Sequence, residues 1–298
     1  MEIKSLQLIE GAKKADGLTV IIDVFRAFST ACYVFDNNAR KIIPVGKLET
    51  AYKLKEDNEE LILMGEREGK TLPGFDYGNS PALIQDVDFR NKIVVHTTSA
   101  GTQGIVNARG ADEIITGSFV NAKAVVEYIL KRNPAKVSLV AMGNAGIDPA
   151  EEDILCAEYI KHLLEDSKPG ICSRDNELLE RILMNSEGLT QSLKDNLLDS
   201  LNQGNKAAIF KSAIIQKILR YSTGERFFDS ANRSWSPPED FEMCLRFSIF
   251  NFVLRAEKFS EDELIEEGLM QKGFQEEGIT EREYFKGLFY LNKLKNTI

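Results

Sequence analysis

An α/β architecture is what this chain of 298 residues predicts, in the form of αβα layers around a largely parallel or mixed sheet. Three observations carry that expectation. Short apolar, β-branched runs alternate with stretches of helical periodicity to about residue 165, the pattern of repeated strand–helix units. Acids, hydroxyls and arginines recur just past the end of one run after another, where open α/β sheets gather their ligands. The stretch from Gly65 to Pro81 holds too many glycines and prolines for a helix or strand interior, so it is a long loop.

Leu18–Phe25 reads as a buried strand that delivers Asp23 near its C-terminal edge, with Arg26 three residues later. A helix is expected over Ala27–Asp36, then a strand over Lys41–Val45, a polar helix over Lys47–Asn58 and a strand over Leu61–Met64. That last strand runs into the long loop, which carries Glu66, Arg67, Asp76, Asn79 and Ser80. Lys92–His96 repeats the design and opens into a turn containing Thr97 and Thr98. Such a turn exposes hydroxyls and backbone N–H groups to an anion at a helix N-terminus. Glu113–Asn121 is a further strand and loop bearing Ser118 and Asn121, followed by a helix over Ala122–Arg132. Val137–Gly143 is the next strand, and Glu151, Glu152 and Asp153 open a helix over Ile154–Glu165. Acids are ordinary in a first helical turn, so these three have a structural reading beside a chemical one.

Beyond residue 170 the pattern changes. Asn176–Leu201 and Lys206–Tyr221 read as packing helices, Trp235 as an anchoring aromatic and Phe247–Leu254 as a half-buried strand. Residues 257–298 are expected to form one or two helices lying on the core or on a partner subunit. The expected organisation is a core over 1–256, with any break between two lobes near 130–170, and a helical C-terminal extension over 257–298.

Composition narrows the chemistry. With 43% hydrophobic and 28% charged residues the chain is globular in type, and its net charge of -9 argues against nucleic-acid binding while leaving room for a small anion held by a few arginines. No run nears the ~20 apolar residues of a membrane span, and Met1–Ser5 does not begin a signal peptide, so a cytoplasmic protein is expected. Cys32, Cys156, Cys172 and Cys244 form no Cys-x-x-Cys pair and read as reduced thiols. His96 and His162 are too few for a multi-imidazole zinc site.

One sheet edge is thus expected to collect Asp23, Arg26, Glu66, Arg67, Asp76, Asn79, Thr97, Thr98, Ser118, Asn121, Glu152 and Asp153. Oxygen donors of this kind suit Mg2+, which takes one or two carboxylates together with waters and a substrate phosphate. Arginines and hydroxyls suit a phosphoryl group. For Arg26 and Arg67 an ion pair to a neighbouring acid is the structural alternative. Neither Gly-x-x-x-x-Gly-Lys-Ser/Thr nor Gly-x-Gly-x-x-Gly occurs, so nothing supports nucleotide binding.

The segments Ile22–Ala27, Gly65–Arg67 through Asn79–Pro81, Gly117–Asn121 and Glu152-Asp153-x-x-Cys156-Ala157, with Pro238-Glu239-Asp240 before Cys244-Leu245, together resemble the 2-phosphosulfolactate phosphatase family from about Ile3 to Ala256. The resemblance implies a magnesium-dependent phosphatase that releases phosphate from 2-phospho-3-sulfolactate, a step towards coenzyme M, in an α/β fold peculiar to the family. The Thr97–Thr102 turn is one residue longer than the family's usual Thr-Thr-Asn-Gly-Thr, and Glu158 stands where a glycine is usual. On this reading Asp23, Asp76, Glu152 and Asp153 compete for the metal, and Arg26 and Arg67 clamp the anion. Asn79, Ser80, Thr97, Thr98, Ser118 and Asn121 line the substrate pocket, and Glu66 moves a proton during in-line attack of water, with a phospho-aspartate at Asp23 as the other route. A small phosphorylated acid is the expected substrate and a homodimer the expected assembly. Two other readings stand beside it: a phosphatase for another small phosphomonoester, and a non-catalytic anion-binding or assembly protein.

Overall fold

In a computed structural model, residues 1–166, 180, 183–184, 190–203, 215, 219–220, 223–269 and 288–295 are described. Strand β2 (Gly17–Ile22) is buried along its whole length, as a continuous apolar run must be when helices cover both faces of a sheet. Its period of two divides it between layers. Leu18, Val20 and Ile22 pack with Val125, Ile129, Leu155 and Ile160 on one side, and Ile21 packs with Phe28, Ala31 and Ile105 on the other.

Around it lie β1 (Glu2–Gln7), β3 (Lys41–Pro44), β4 (Ile62–Arg67), β5 (Lys70–Thr71), β6 (Ile93–Thr97), β7 (Ala111–Gly117), β8 (Lys136–Ala141), β9 (Phe252–Lys258) and β10 (Phe289–Lys295), in the sheet order β1-β8-β2-β7-β9-β10-β3-β6-β4-β5. Strands β1, β8, β2 and β7 are mutually parallel, and so are β3, β6 and β4. The antiparallel pair β9 and β10 joins the two parallel blocks. The helices are α1 (Leu8–Lys14), α2 (Ala27–Asp36), α3 (Leu48–Asp57), α4 (Gly101–Asn107), α5 (Ala122–Arg132), α6 (Glu151–Asp166), α7 (Gln191–Asn202), α8 (Pro238–Cys244) and α9 (Glu261–Glu266). Among the described residues no helix is long and apolar enough to cross a membrane.

The α/β class and the mixed sheet are as the sequence predicts, with three local differences. Strand β1 and helix α1 precede the first expected strand. The half-buried strand expected over Phe247–Leu254 begins at Phe252 and continues to Lys258. Beyond residue 257 the chain forms helix α9 and also strand β10, where Glu283–Leu291 reads as helical; residues 283–287 lie outside the described set. A short apolar run is ambiguous on its own. Here pairing decides it: Leu291 is fully buried between β9 and β3, and the Lys41 ammonium lies 4.4 Å from the Tyr290 ring centroid. Helix α7 falls at the end of the expected Asn176–Leu201 helix, whereas Cys172 and most of Lys206–Tyr221 lie outside the described residues.

This topology places Asp23 and the start of α6 on one parallel block and Glu66, Arg67 and Thr97 on the other.

Candidate active site

Asp23 follows directly on β2. Its N–H still donates to the Gly117 carbonyl at 3.3 Å, and its Oδ1 accepts the Ala27 N–H at 3.0 Å, fixing the first turn of α2. The Phe25–Arg26 peptide between these points is cis. A Cβ at Gly101 would lie 2.8 Å from Asp23 Oδ2 and 2.8 Å from Ala27 Cβ, so a glycine is needed for α4 to begin so close to the carboxylate. Burial pushes the Asp23 carboxyl up to about 7, repulsion from Glu66 and Glu152 adds to the rise, and the Ala27 and Gly101 N–H groups oppose it. Asp23 therefore lies within electrostatic reach of two further acids, one from each parallel block.

On its own block those acids are Glu152 and Asp153, in the first turn of α6. They have different duties. Asp153 spends its oxygens on the backbone, accepting the Val24 N–H at 2.7 Å and the Gly143 N–H at 2.8 Å just past the ends of β2 and β8. Burial, then Asp23 and Glu152, raise its carboxyl well above the usual range. Glu152 is also buried, yet its Oε2 meets no hydrogen-bond partner among the described residues. Burial raises this carboxyl too, with the nearby Thr223 hydroxyl and Arg226 guanidinium countering in part.

Glu66 approaches from the other block at the end of β4. Its Oε2 accepts from Gly69 N at 2.7 Å and Ser99 Oγ at 3.3 Å, and its Oε1 accepts from Ser99 N at 2.8 Å. Beside it, Arg67 donates to the Glu66 carbonyl at 2.6 Å and to Thr97 Oγ1 at 2.8 Å, and it forms no ion pair among the described residues.

Several expected site residues serve the scaffold. Arg26 is ion-paired to Asp240 at 2.7 Å and donates to the carbonyls of Trp235 at 2.6 Å and Gly69 at 3.0 Å, the structural alternative noted for it. Ser80 donates to Asp240 Oδ1 at 2.7 Å, and the Asn79 Oδ1 lies 3.2 Å from His96 Nε2. Ser118 and Asn121 form a capping box ahead of α5, and Ser118 Oγ also meets Ser29 Oγ at 2.5 Å. Thr98 exchanges hydrogen bonds with Thr102, so the turn before α4 presents its donors to its own hydroxyls and to Glu66. Asp76 lies outside the cluster. It accepts the Leu63 N–H at 2.8 Å and sits 3.6 Å from Lys55, and Leu63 is three residues, or about 10 Å, back along β4 from Glu66.

The structure also adds Arg226, which precedes the expected strand by some distance and has no local sequence mark. Its Nη2 donates to the Phe25 carbonyl at 3.0 Å, it acts electrostatically on Glu152, and it has no ion pair among the described residues. The candidate site therefore joins Asp23 electrostatically to Glu66 and Glu152, with Arg67 next to Glu66 and Arg226 acting on Glu152.

Among the described residues no three acids, histidines or thiols lie close enough to enclose a metal ion. Magnesium does not require that, because it retains waters and takes one or two carboxylates plus phosphate oxygens. Buried carboxyls that repel one another and an acid oxygen without a partner fit that sparse kind of site.

The family model described as 2-phosphosulpholactate phosphatase matches residues 3–258. Curated relatives carry the same description. The "Probable 2-phosphosulfolactate phosphatase" of Caldicellulosiruptor saccharolyticus is 38% identical over 172 residues, covering 56% of this chain and 71% of the relative. That of Clostridium perfringens is 30% identical over 207 residues, 67% of this chain and 83% of the relative. That of Clostridium botulinum is 30% identical over 240 residues, covering 80% and 88%.

Proposed function

The chain belongs to the 2-phosphosulpholactate phosphatase family, a group of phosphoric monoester hydrolases, and from that premise we propose that it hydrolyses 2-phospho-3-sulfolactate to 3-sulfolactate and phosphate with magnesium bound. The observation that carries this reading is buried Asp23 at the end of β2 within electrostatic reach of Glu66 and Glu152, with Arg67 and Arg226, free of ion pairs among the described residues, next to those two acids. Asp23 and Glu152 are the residues to hold the metal, since Asp153 is committed to Val24 and Gly143 and Asp76 is remote. When bound, magnesium supplies neutralisation of phosphoryl charge.

The protein's own groups do the rest. Arg67 and Arg226 bind the two anionic ends of the substrate as planar, permanently charged donors. Glu66, fixed by Gly69 and Ser99, takes a proton from the water that attacks phosphorus opposite the ester oxygen. The new P–O bond forms as the ester P–O bond breaks, its electron pair passes to the lactate oxygen, and that oxygen takes a proton from water while Glu66 returns its own to solvent.

Phosphate release from 2-phospho-3-sulfolactate, measured with magnesium and beside a panel of small phosphomonoesters, tests the proposal. A best kcat/KM on another member of the panel would move the substrate assignment. No release from any member would remove the phosphatase reading.

A further inference from the structure

Three segments that build the candidate site meet at one buried carboxylate. Asp240, fully buried on α8, accepts from Ser80 Oγ at 2.7 Å and Ala82 N at 2.9 Å through Oδ1, and from Arg26 Nη1 at 2.7 Å through Oδ2. Arg26 carries the connection on to the Trp235 and Gly69 carbonyls. Gly69 in turn donates its N–H to Glu66 Oε2 at 2.7 Å. The turn is tight: Gly69 has φ +81, and a Cβ there would run into the Trp235 ring. Asp240 thus holds the loop after β4 at both ends, directly at Ser80–Ala82 and through Arg26 at Glu66–Gly69. The same arginine lies three residues from Asp23.

We infer that Arg26 and Asp240 are a positioning pair that sets the Glu66 carboxylate in the candidate site, rather than groups that touch substrate. Burying two charges is weak evidence for stability, because a packed apolar pair of similar volume often serves as well. What such a pair can do and an apolar one cannot is direct a fork of donors to chosen carbonyls. In this site those carbonyls belong to Trp235 and Gly69, and Gly69 is the residue whose own N–H, on the preceding peptide, holds Glu66. The inference rests on the proton-transfer role proposed for Glu66.

The test is the double variant R26M/D240L in the full chain, assayed beside R26K and E66Q. The double variant strands the Ala82 N–H and the Ser80 hydroxyl, so its melting temperature should fall; a single cooperative transition above the assay temperature shows that it is folded, with Glu66 left without its support. The expected result is a fall in kcat of about 10- to 100-fold with KM within about twofold, since displacing a reacting group by about 1 Å costs on that order. R26K keeps the charge and the ion pair, and should therefore fold, but cannot span both carbonyls; its kcat should fall by about tenfold. Parental kcat in folded R26M/D240L or in R26K, with E66Q inactive, overturns the positioning role and leaves the phosphatase reading standing. A raised KM at unchanged kcat also overturns it, by putting Arg26 on the substrate. Parental activity in E66Q removes the Glu66 role and the inference with it.

Discussion

Asp153 reaches from the first turn of α6 to the Val24 N–H at 2.7 Å, and with its other oxygen it takes the Gly143 N–H at 2.8 Å. One side chain thereby holds the ends of two neighbouring strands at the spacing on which the Asp23 environment depends. Removing it strands two buried donors at about 1–3 kcal/mol each. D153A should lose about 2–4 kcal/mol in urea unfolding. A loss below about 1 kcal/mol would show that water or relaxation satisfies both groups.

The acids of the chain should separate by position. D23N and E152Q are each expected to lower kcat by about 100-fold or more while the protein stays folded, because each removes a carboxylate from the buried cluster. D76N removes a partly exposed negative charge beside Lys55, keeps an oxygen able to accept the Leu63 N–H, and should hold kcat within about threefold with only a modest loss of melting temperature. Equal loss in all three would contradict the division between cluster and scaffold.

Magnesium should stabilise the folded protein. A ligand that binds only the native state adds about 2.7 kcal/mol at 100 times its Kd. The melting temperature of the parent is therefore expected to rise with magnesium, and that of E152Q to rise little, as its Oε2 is the unpartnered donor of the pair. Chelation should abolish turnover. Identical magnesium shifts in parent and E152Q would place the ion elsewhere.

Under the proposed function it is Arg67 and Arg226, not Arg26, that meet the anion. R67A and R226A are each expected to lower kcat/KM by about 10- to 100-fold, the scale of a lost charge-assisted contact. Neither should cost much stability, since no carboxylate is ion-paired to either guanidinium among the described residues. Steady-state kinetics with thermal melts would separate the two effects.

Strand ends, turn chemistry and the alternation of elements were legible because they are local. Asp23 and Glu66 fall at the ends of apolar runs and Glu152 in the first turn of a helix, and in the fold Glu66 and Glu152 each act electrostatically on Asp23. Partnership was not legible. Nothing near Arg26 marks it for Asp240, which lies 214 positions away in sequence, and Arg226 reaches Phe25 across 201 positions. Ser118 and Asn121 look like anion ligands in isolation and are each other's capping partners in the fold. Strand β10 was hidden for a similar reason, since its strand character comes from the slot between β9 and β3.

His96 gives the last prediction, one of pH. It is 1% exposed, its Nε2 lies 3.2 Å from Asn79 Oδ1, and burial pushes its imidazole down to about 4 from an ordinary 6.5. Below pH 6.5 the unfolded chain binds a proton here that the folded chain refuses until about pH 4. The stability owed to neutral His96 is therefore complete above about 6.5 and declines as the pH falls towards 4, by about 2 kcal/mol at pH 5. Asp23, Glu152 and Asp153, raised in the folded state, work in the opposite sense: their contribution is greatest below their ordinary values near 4 and is lost as the pH rises, through about 7 for Asp23. Those acids are common to the parent and H96Q, so the difference between the two proteins isolates the imidazole. In magnesium-free urea unfolding, H96Q should lose about 2 kcal/mol less than the parent between pH 7.5 and pH 5. Parallel losses in the two proteins would mean that His96 takes up its proton in the folded chain as readily as in the unfolded one.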